Sequence, residues 1–390
     1  MAIHNHPIPY YYRLFFSLIL SLVACDEEGD EIGTEDTTEN EQIPRTVLFY
    51  MAGDNSLSSY VSTNLDLIKE GMEEDGLNNG NLLVFTDTKS DSPQLFQLVL
   101  EADTIRQISI DTYSEDQSSA STETLTEVID KVITDFPAES YGLVLWSHAT
   151  AWLPTNGKEY LTRSFAVDNN STDYMEINDL AAALSAYYFD FILFDACYMA
   201  STEVVYALRD CADYIIGSPT EILANGFPYD EIIGMMFEDE ADVQGIATAF
   251  YELYEDSYGT ISLIKCSALE NLATSCRSIF SDKTEEDLFA ISVDDLQIME
   301  YLTGSYHALY DFDDYVSRLA TTDQYAVFQQ CLEEAVPYKA NTPYSLYSYN
   351  GGKSIAINTY SGLSIYVPQE DLSTLNEWYK DLEWYQDVYQ

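Results

Sequence analysis

The chain has 390 residues, of which 16 are Lys or Arg and 67 are Asp or Glu, for a formal net charge of −51. Phosphate neutralisation needs clustered cations that this composition cannot supply, so nucleic acid is excluded as a partner and long-range attraction favours cationic substrates. With 46% hydrophobic residues, the chain still has the material for a large core.

Residues 1–24 carry one charged side chain, Arg13, ahead of an apolar run from Leu14 to Ala24. A positive start and an apolar run shorter than the roughly 20 residues of a membrane span mark an export signal. The run ends in Leu22-Val23-Ala24-Cys25, which resembles a bacterial lipobox, where cleavage leaves Cys25 as a lipidated N-terminus. The expectation is an exported chain held to the bacterial membrane through that lipid alone. The acids Asp26-Glu27-Glu28 resemble a surface-export tag. Residues 25–43 are expected to form an acidic disordered tether, because Ile32 is the one large apolar residue between Asp26 and Gln42 and cannot offset the ordering entropy.

Short, nearly continuous apolar runs follow at Val47–Met51, Leu82–Phe85, Leu143–Trp146, Phe191–Phe194 and Ile261–Ile264. Such runs predict strands buried on both faces of a parallel sheet. Leu95–Leu100 and Thr104–Ile110 read as a hairpin-like pair. Between the strands, Leu125, Val128, Ile129, Val132, Ile133 and Phe136 recur at helical spacing, as do Leu180, Leu184 and Tyr187 behind a cap at Asn178 or Asp179. Strand and helix alternate, which predicts an α/β sandwich with a mostly parallel sheet over residues 44–240. From residue 241 to 390 the pattern turns helical, at Val243–Tyr254, Ala268–Phe280, Val293–Leu302 and Tyr325–Val336. Late strands at Ser354–Ile357 and Leu363–Val367 rejoin the core, and an aromatic-rich helix closes the chain.

Six cysteines and four histidines limit the chemistry. With Cys25 lipidated, Cys197, Cys211, Cys266, Cys276 and Cys331 remain, so at least one stays unpaired. None of them has zinc spacing, and no metal site is expected from them. His4 and His6 fall in the signal, leaving His148 and His307, the latter in a helix-like stretch with a structural role. Ligands of open parallel sheets sit beyond the carboxyl ends of strands. One predicted strand runs from Tyr141 through Trp146 into Ser147-His148, and another from Phe191 through Phe194 into Asp195-Ala196-Cys197. Neighbouring strands lie about 5 Å apart, so their ends can bring imidazole and thiol together. A base beside a thiol raises its thiolate fraction, and a helix beginning at Ser201 is expected to favour the anion further.

The sequence resembles the clostripain family of cysteine peptidases, within the caspase-like clan. The resemblance lies in Thr46-Val-Leu-Phe-Tyr-Met-Ala-Gly-Asp54-Asn55-Ser-Leu57, in Tyr141–Trp152, in Phe194-Asp-Ala-Cys-Tyr-Met-Ala-Ser-Thr-Glu-Val204, and in a pocket loop from Ala212 to Tyr229. Tyr310-Asp-Phe312 and Gly362-Leu-Ser-Ile-Tyr366 match later signatures. It implies a caspase-like α/β/α sandwich and an endopeptidase in which His148 is base and then acid, Cys197 forms a thioester, and no third member is required. Backbone N–H groups of Ala149 and Cys197 would form the oxyanion hole. The family's preference for Arg or Lys at P1 implies acids below that side chain. Asp195 keeps one of these positions, unless it serves to orient the loop, while the other is the neutral Asn225. Ala149 stands where the family has Gly, which strains the chain if φ is positive there. Lys158 and Arg163 lie where relatives cut themselves. Peptide or protein substrates are implied. No cofactor is required, although calcium is known in the family. A silent binding lipoprotein on this fold, or a peptidase with a non-basic P1, is the alternative.

Overall fold

The apolar runs become strands of one nine-stranded sheet in the computed structural model, which describes residues 42–101, 104–153, 165–168, 173–300, 306–347 and 353–390. In chain order the strands are β1 (Arg45–Gly53), β2 (Asn81–Thr88), β3 (Gln94–Glu101), β4 (Thr104–Thr112) and β5 (Ser140–Trp146). There follow β6 (Phe165–Val167), β7 (Tyr174–Met175), β8 (Phe189–Asp195), β9 (Ala212–Gly217) and β10 (Thr260–Lys265). The last are β11 (Leu309–Asp311), β12 (Tyr338–Asn341), β13 (Tyr344–Tyr347), β14 (Lys353–Ala356) and β15 (Ser364–Tyr366). The sheet order is β12-β10-β9-β8-β5-β1-β2-β3-β4. Its centre, from β9 to β2, is parallel.

Every residue of β1 is buried, because helices cover both faces. Val47, Phe49 and Met51 point into one core with the helices Ser58–Asp75, Tyr229–Met236 and Val243–Tyr254. Leu48, Tyr50 and Ala52 point into the other, with Thr122–Asp135, Ile177–Leu184, Thr202–Ala207 and Leu269–Phe280. This is the α/β/α sandwich the alternating pattern predicts. Each fully buried Leu, Ile or Phe contributes roughly 2 kcal/mol. At Gly71 a Cβ would stand 2.6 Å from the carbonyl oxygen of Tyr229, so glycine lets helix Ser58–Asp75 pack closely on helix Tyr229–Met236.

Arg45 fastens the start of β1. Its guanidinium donates to Asp190 Oδ2 at 2.7 and 3.0 Å and to the carbonyl of Met236 at 3.1 Å, with 5% of the residue exposed. Removing one member of a buried ion pair leaves the other charge and several acceptors unsatisfied. Asp190 keeps some exposure, which lowers the cost. Arg45→Ala is expected to destabilise the fold by about 3 kcal/mol, read from chemical denaturation; a change below about 0.5 kcal/mol would show the pair to be idle.

Several local expectations are corrected by the tertiary structure. The Ile261–Ile264 strand runs antiparallel to β9, because a hairpin-free path through Tyr229–Met236 and Val243–Tyr254 returns the chain from the opposite end. Ala212–Gly217, expected within the pocket loop, is a strand whose Ile215 and Ile216 enter opposite cores. The helix expected to begin behind Asn178 or Asp179 begins at Ile177 with Glu176 as N-cap, and Asp179 sits in its first turn. Of the helix expected over Val293–Leu302, the described part to Glu300 is not α-helical: one 3₁₀ turn at Val293–Asp295 gives way to a segment in which Met299 N–H donates to Leu309 and Ile298 bridges Tyr310. The same pairing makes the stretch from Tyr306 to Tyr310 extended rather than helical, since β11 pairs with β15. The closing helix breaks into Ser373–Tyr379 and Glu383–Tyr389.

Candidate active site

The site is assembled at the carboxyl ends of β1, β5, β8 and β9. Trp146 of β5 pairs with Asp195 of β8, so Ser147-His148 and Ala196-Cys197 leave the sheet side by side. They open on a cleft of about 400 Å³ whose walls include His148, Cys197, Asp195, Glu221, Asn225 and, from the β13 strand, Leu346.

The turn after β1 fixes the imidazole. Buried Asn55 donates through Nδ2 to the Ala52 carbonyl (2.9 Å) and accepts the Leu57 N–H (2.9 Å), which folds the chain back. Ser147 Oγ donates to the same carbonyl at 2.7 Å, tying the His loop to this turn. Ser56, at the apex, stands 2.7 Å from His148 Nε2. Sequence reasoning missed Ser56: it lies inside a recognised motif, but its partner is 92 residues away.

The thiol of Cys197 is held by both sides of Ile222, with the N–H at 3.3 Å and the carbonyl at 3.6 Å. The residue keeps a partly accessible face, yet the packing around the sulfur dominates its ionisation. Burial pushes the thiol up to about 12, Glu221 adds in the same direction, and the Ile222 bond opposes them only in part. Burial thus outweighs the pull toward thiolate expected of the following helix. That helix, Thr202–Ala207, is short, and the chain must first pass Tyr198, whose φ is +65°.

Asp195, 5% exposed, accepts from Tyr229 Oη (2.7 Å) and from the Phe227 N–H (3.3 Å). Burial raises its carboxyl to about 6 against those two bonds. Gly226, just before Phe227, has φ +73°, and a Cβ there would collide with Asp195 Oδ2, so glycine is required on both counts. Asn225 is exposed at the cleft rim. The left-handed position in the His loop is Ala151, φ +59°, rather than Ala149, which forms an antiparallel bridge with Phe165. His307 lies elsewhere, its Nδ1 2.8 Å from the Glu300 carbonyl. Cys197, Cys211, Cys266, Cys276 and Cys331 are all free thiols. Lys158, Arg163 and Cys25 lie outside the described residues. Among the described residues no group of three His, Cys, Asp or Glu is set to hold a metal ion, and no helix is long and apolar enough to cross a membrane.

A model of the clostripain family matches residues 49–390, spanning both strand-end motifs and the pocket loop. The chain belongs to the clostripain family. It is a cysteine peptidase, with the caspase-like fold of that family. An inactive zymogen C11 protease from Parabacteroides distasonis is 65% identical and superposes with a TM-score of 0.85 over 90% of this chain and 99% of that one. A secreted C11 cysteine protease from Bacteroides thetaiotaomicron, solved with an irreversible peptide inhibitor, is 33% identical with a TM-score of 0.79, covering 88% and 98% of the two chains. Iotapain, a secreted C11 cysteine protease from the same organism, is 28% identical with a TM-score of 0.78, over 89% and 99%. No curated protein matches the chain.

Proposed function

We propose that this clostripain-family peptidase cleaves peptide bonds after basic residues, with Cys197 as nucleophile and His148 as base and then acid. The observation that carries the reading is the β5–β8 pairing, which delivers both side chains to one cleft. Burial raises the thiol to about 12, so catalysis begins when the imidazole takes its proton. The sulfur attacks the scissile carbonyl carbon, and the N–H groups of Ala149 and Cys197 receive the oxyanion. His148 returns the proton to the leaving amine as the C–N bond breaks, leaving an acyl thioester. Water, deprotonated by the same imidazole, then cleaves the thioester and restores the thiol. Ser56 acts as a positioning residue: by accepting a hydrogen bond from Nε2–H it favours the tautomer whose Nδ1 lone pair is the base.

Export on a Cys25 lipid anchor, with cationic peptides or proteins as substrates, belongs to the same reading, supported by the signal sequence and the charge of −51. So does self-cleavage after Lys158 or Arg163. The exposed neutral Asn225 and the internally bonded Asp195 favour a second reading, an active peptidase with non-basic P1. A peptide-library cleavage profile separates the two. Arg and Lys are expected to dominate P1, and an acyloxymethyl ketone with a basic P1 is expected to label Cys197. A profile led by neutral P1 residues would establish the second reading.

A further inference from the structure

The carboxylate at the Asp195 position is poorly placed to serve a cation alone. Its Oδ2 already takes two donors, it is buried, and its carboxyl is raised toward neutrality. Asn225 brings no charge. A second acid, Glu221, lines the same cleft beside the thiol.

The backbone that presents Glu221 is held on both sides. Before it, Thr220 is buried, its Oγ1 shares hydrogen bonds with Thr260 Oγ1 (2.8 Å) and Ser345 Oγ (2.9 Å), and its carbonyl accepts the Tyr198 N–H (2.9 Å). After it, Ile222 is pinned to Cys197 Sγ. The segment is thereby tied to β10, to the β13 strand and to the nucleophile loop at once. A side chain on so fixed a stretch has little backbone freedom to lose on meeting a ligand. Its charge is also felt at the sulfur, since it adds to the raising of the Cys197 thiol.

We infer that Glu221 supplies the negative charge that selects a basic P1 side chain, in place of Asn225, while Asp195 shapes the Gly226–Tyr229 turn. The inference rests on the basic-P1 reading above. A carboxylate at the cleft wall binds guanidinium or ammonium by a charge-assisted hydrogen bond that a neutral isostere cannot make. Two consequences with opposite signs follow from removing the charge. Selection of the cation weakens, and the thiol becomes easier to ionise.

The test uses two matched peptide-amide reporters, one with arginine and one with its neutral isostere citrulline at P1, on the mature protein. In Glu221→Gln the arginine-to-citrulline ratio of kcat/KM is expected to fall at least about tenfold, and Asn225→Asp added to it is expected to recover part of that loss. In Asp195→Asn the ratio is expected to move by less than in Glu221→Gln. Alkylation of Cys197 by iodoacetamide at pH 8 is expected to be severalfold faster in Glu221→Gln than in wild type. A wild type that prefers arginine, with a Glu221→Gln variant that keeps the preference, overturns the inference alone. An unchanged alkylation rate removes the charge from the neighbourhood of the sulfur and overturns it too. A wild type with no preference for arginine overturns the basic-P1 reading and this inference with it.

Discussion

Cys197→Ala is expected to lower kcat/KM on a lysine- or arginine-terminated amide reporter by at least about a thousandfold, equivalent to about 4 kcal/mol of barrier. Among the described residues of the cleft no substitute nucleophile is at hand. Ser147 donates its hydroxyl to the Ala52 carbonyl, and Ser56 is engaged with the imidazole. His148→Ala is expected to cause a loss of similar size, because it removes the imidazole proposed to accept the proton of a thiol raised to about 12. The two losses should not add, since each residue is useless without the other. The fold should survive Cys197→Ala, for the substitution removes one sulfur and its contacts with Ile222. Turnover above a tenth of wild type in both variants, with an intact thermal melt, would remove the dyad from the mechanism.

A second large effect is expected in stability, and its sign is unusual. Four buried carboxyls are raised by burial: Asp87, Asp195 and Asp311 to about 6, and Glu203 to about 7. Each has a folded pKa above its unfolded value of about 4, so between these values the folded chain binds a proton that the unfolded chain releases. The stabilisation is fully present below the unfolded pKa and is lost as pH rises through the folded one. The window therefore runs from roughly pH 4 to pH 7, and each tenfold difference in proton affinity between the two states is worth about 1.4 kcal/mol. Relief of self-repulsion in a chain of net charge −51 acts in the same direction. Melting followed by circular dichroism is expected to give a Tm about 5–10 °C higher at pH 5.5 than at pH 8. Glu203→Gln should flatten the upper part of that profile. Its Oε1 accepts the Tyr366 N–H at 2.8 Å, while its Oε2 is buried without a hydrogen-bond partner among the described residues. A Tm that is flat or falls on acidification would show that exposed ion pairs outweigh these buried groups.

The strands that matter most were legible because their surroundings leave a mark on composition. Val47–Met51, Leu143–Trp146 and Phe191–Phe194 are buried on both faces, so no polar residue interrupts them. Their ends pointed to His148 and Cys197, since a parallel sheet orients its strand ends alike. Less was visible where pairing depends on distant partners. Ala212–Gly217 carries exposed Asp213 as its second residue and is a strand because β8 and β10 flank it. Val293–Leu302 has helical spacing, but Ile298 and Met299 pair with Tyr310 and Leu309 instead.

The same division runs through the site. Residue types and strand order alone determined the sandwich, the two candidate reactive side chains and the chemistry available to them, because burial and alternation are local properties written along the chain. Only the tertiary structure decided that Ser56 meets the imidazole, that Ile222 holds the thiol, that Asp195 turns inward to Tyr229, and that Glu221 faces the cleft. Those contacts join loops from separate strands, and desolvation at their meeting point raises the Cys197 thiol and the Asp195 carboxyl above the values they would have in water.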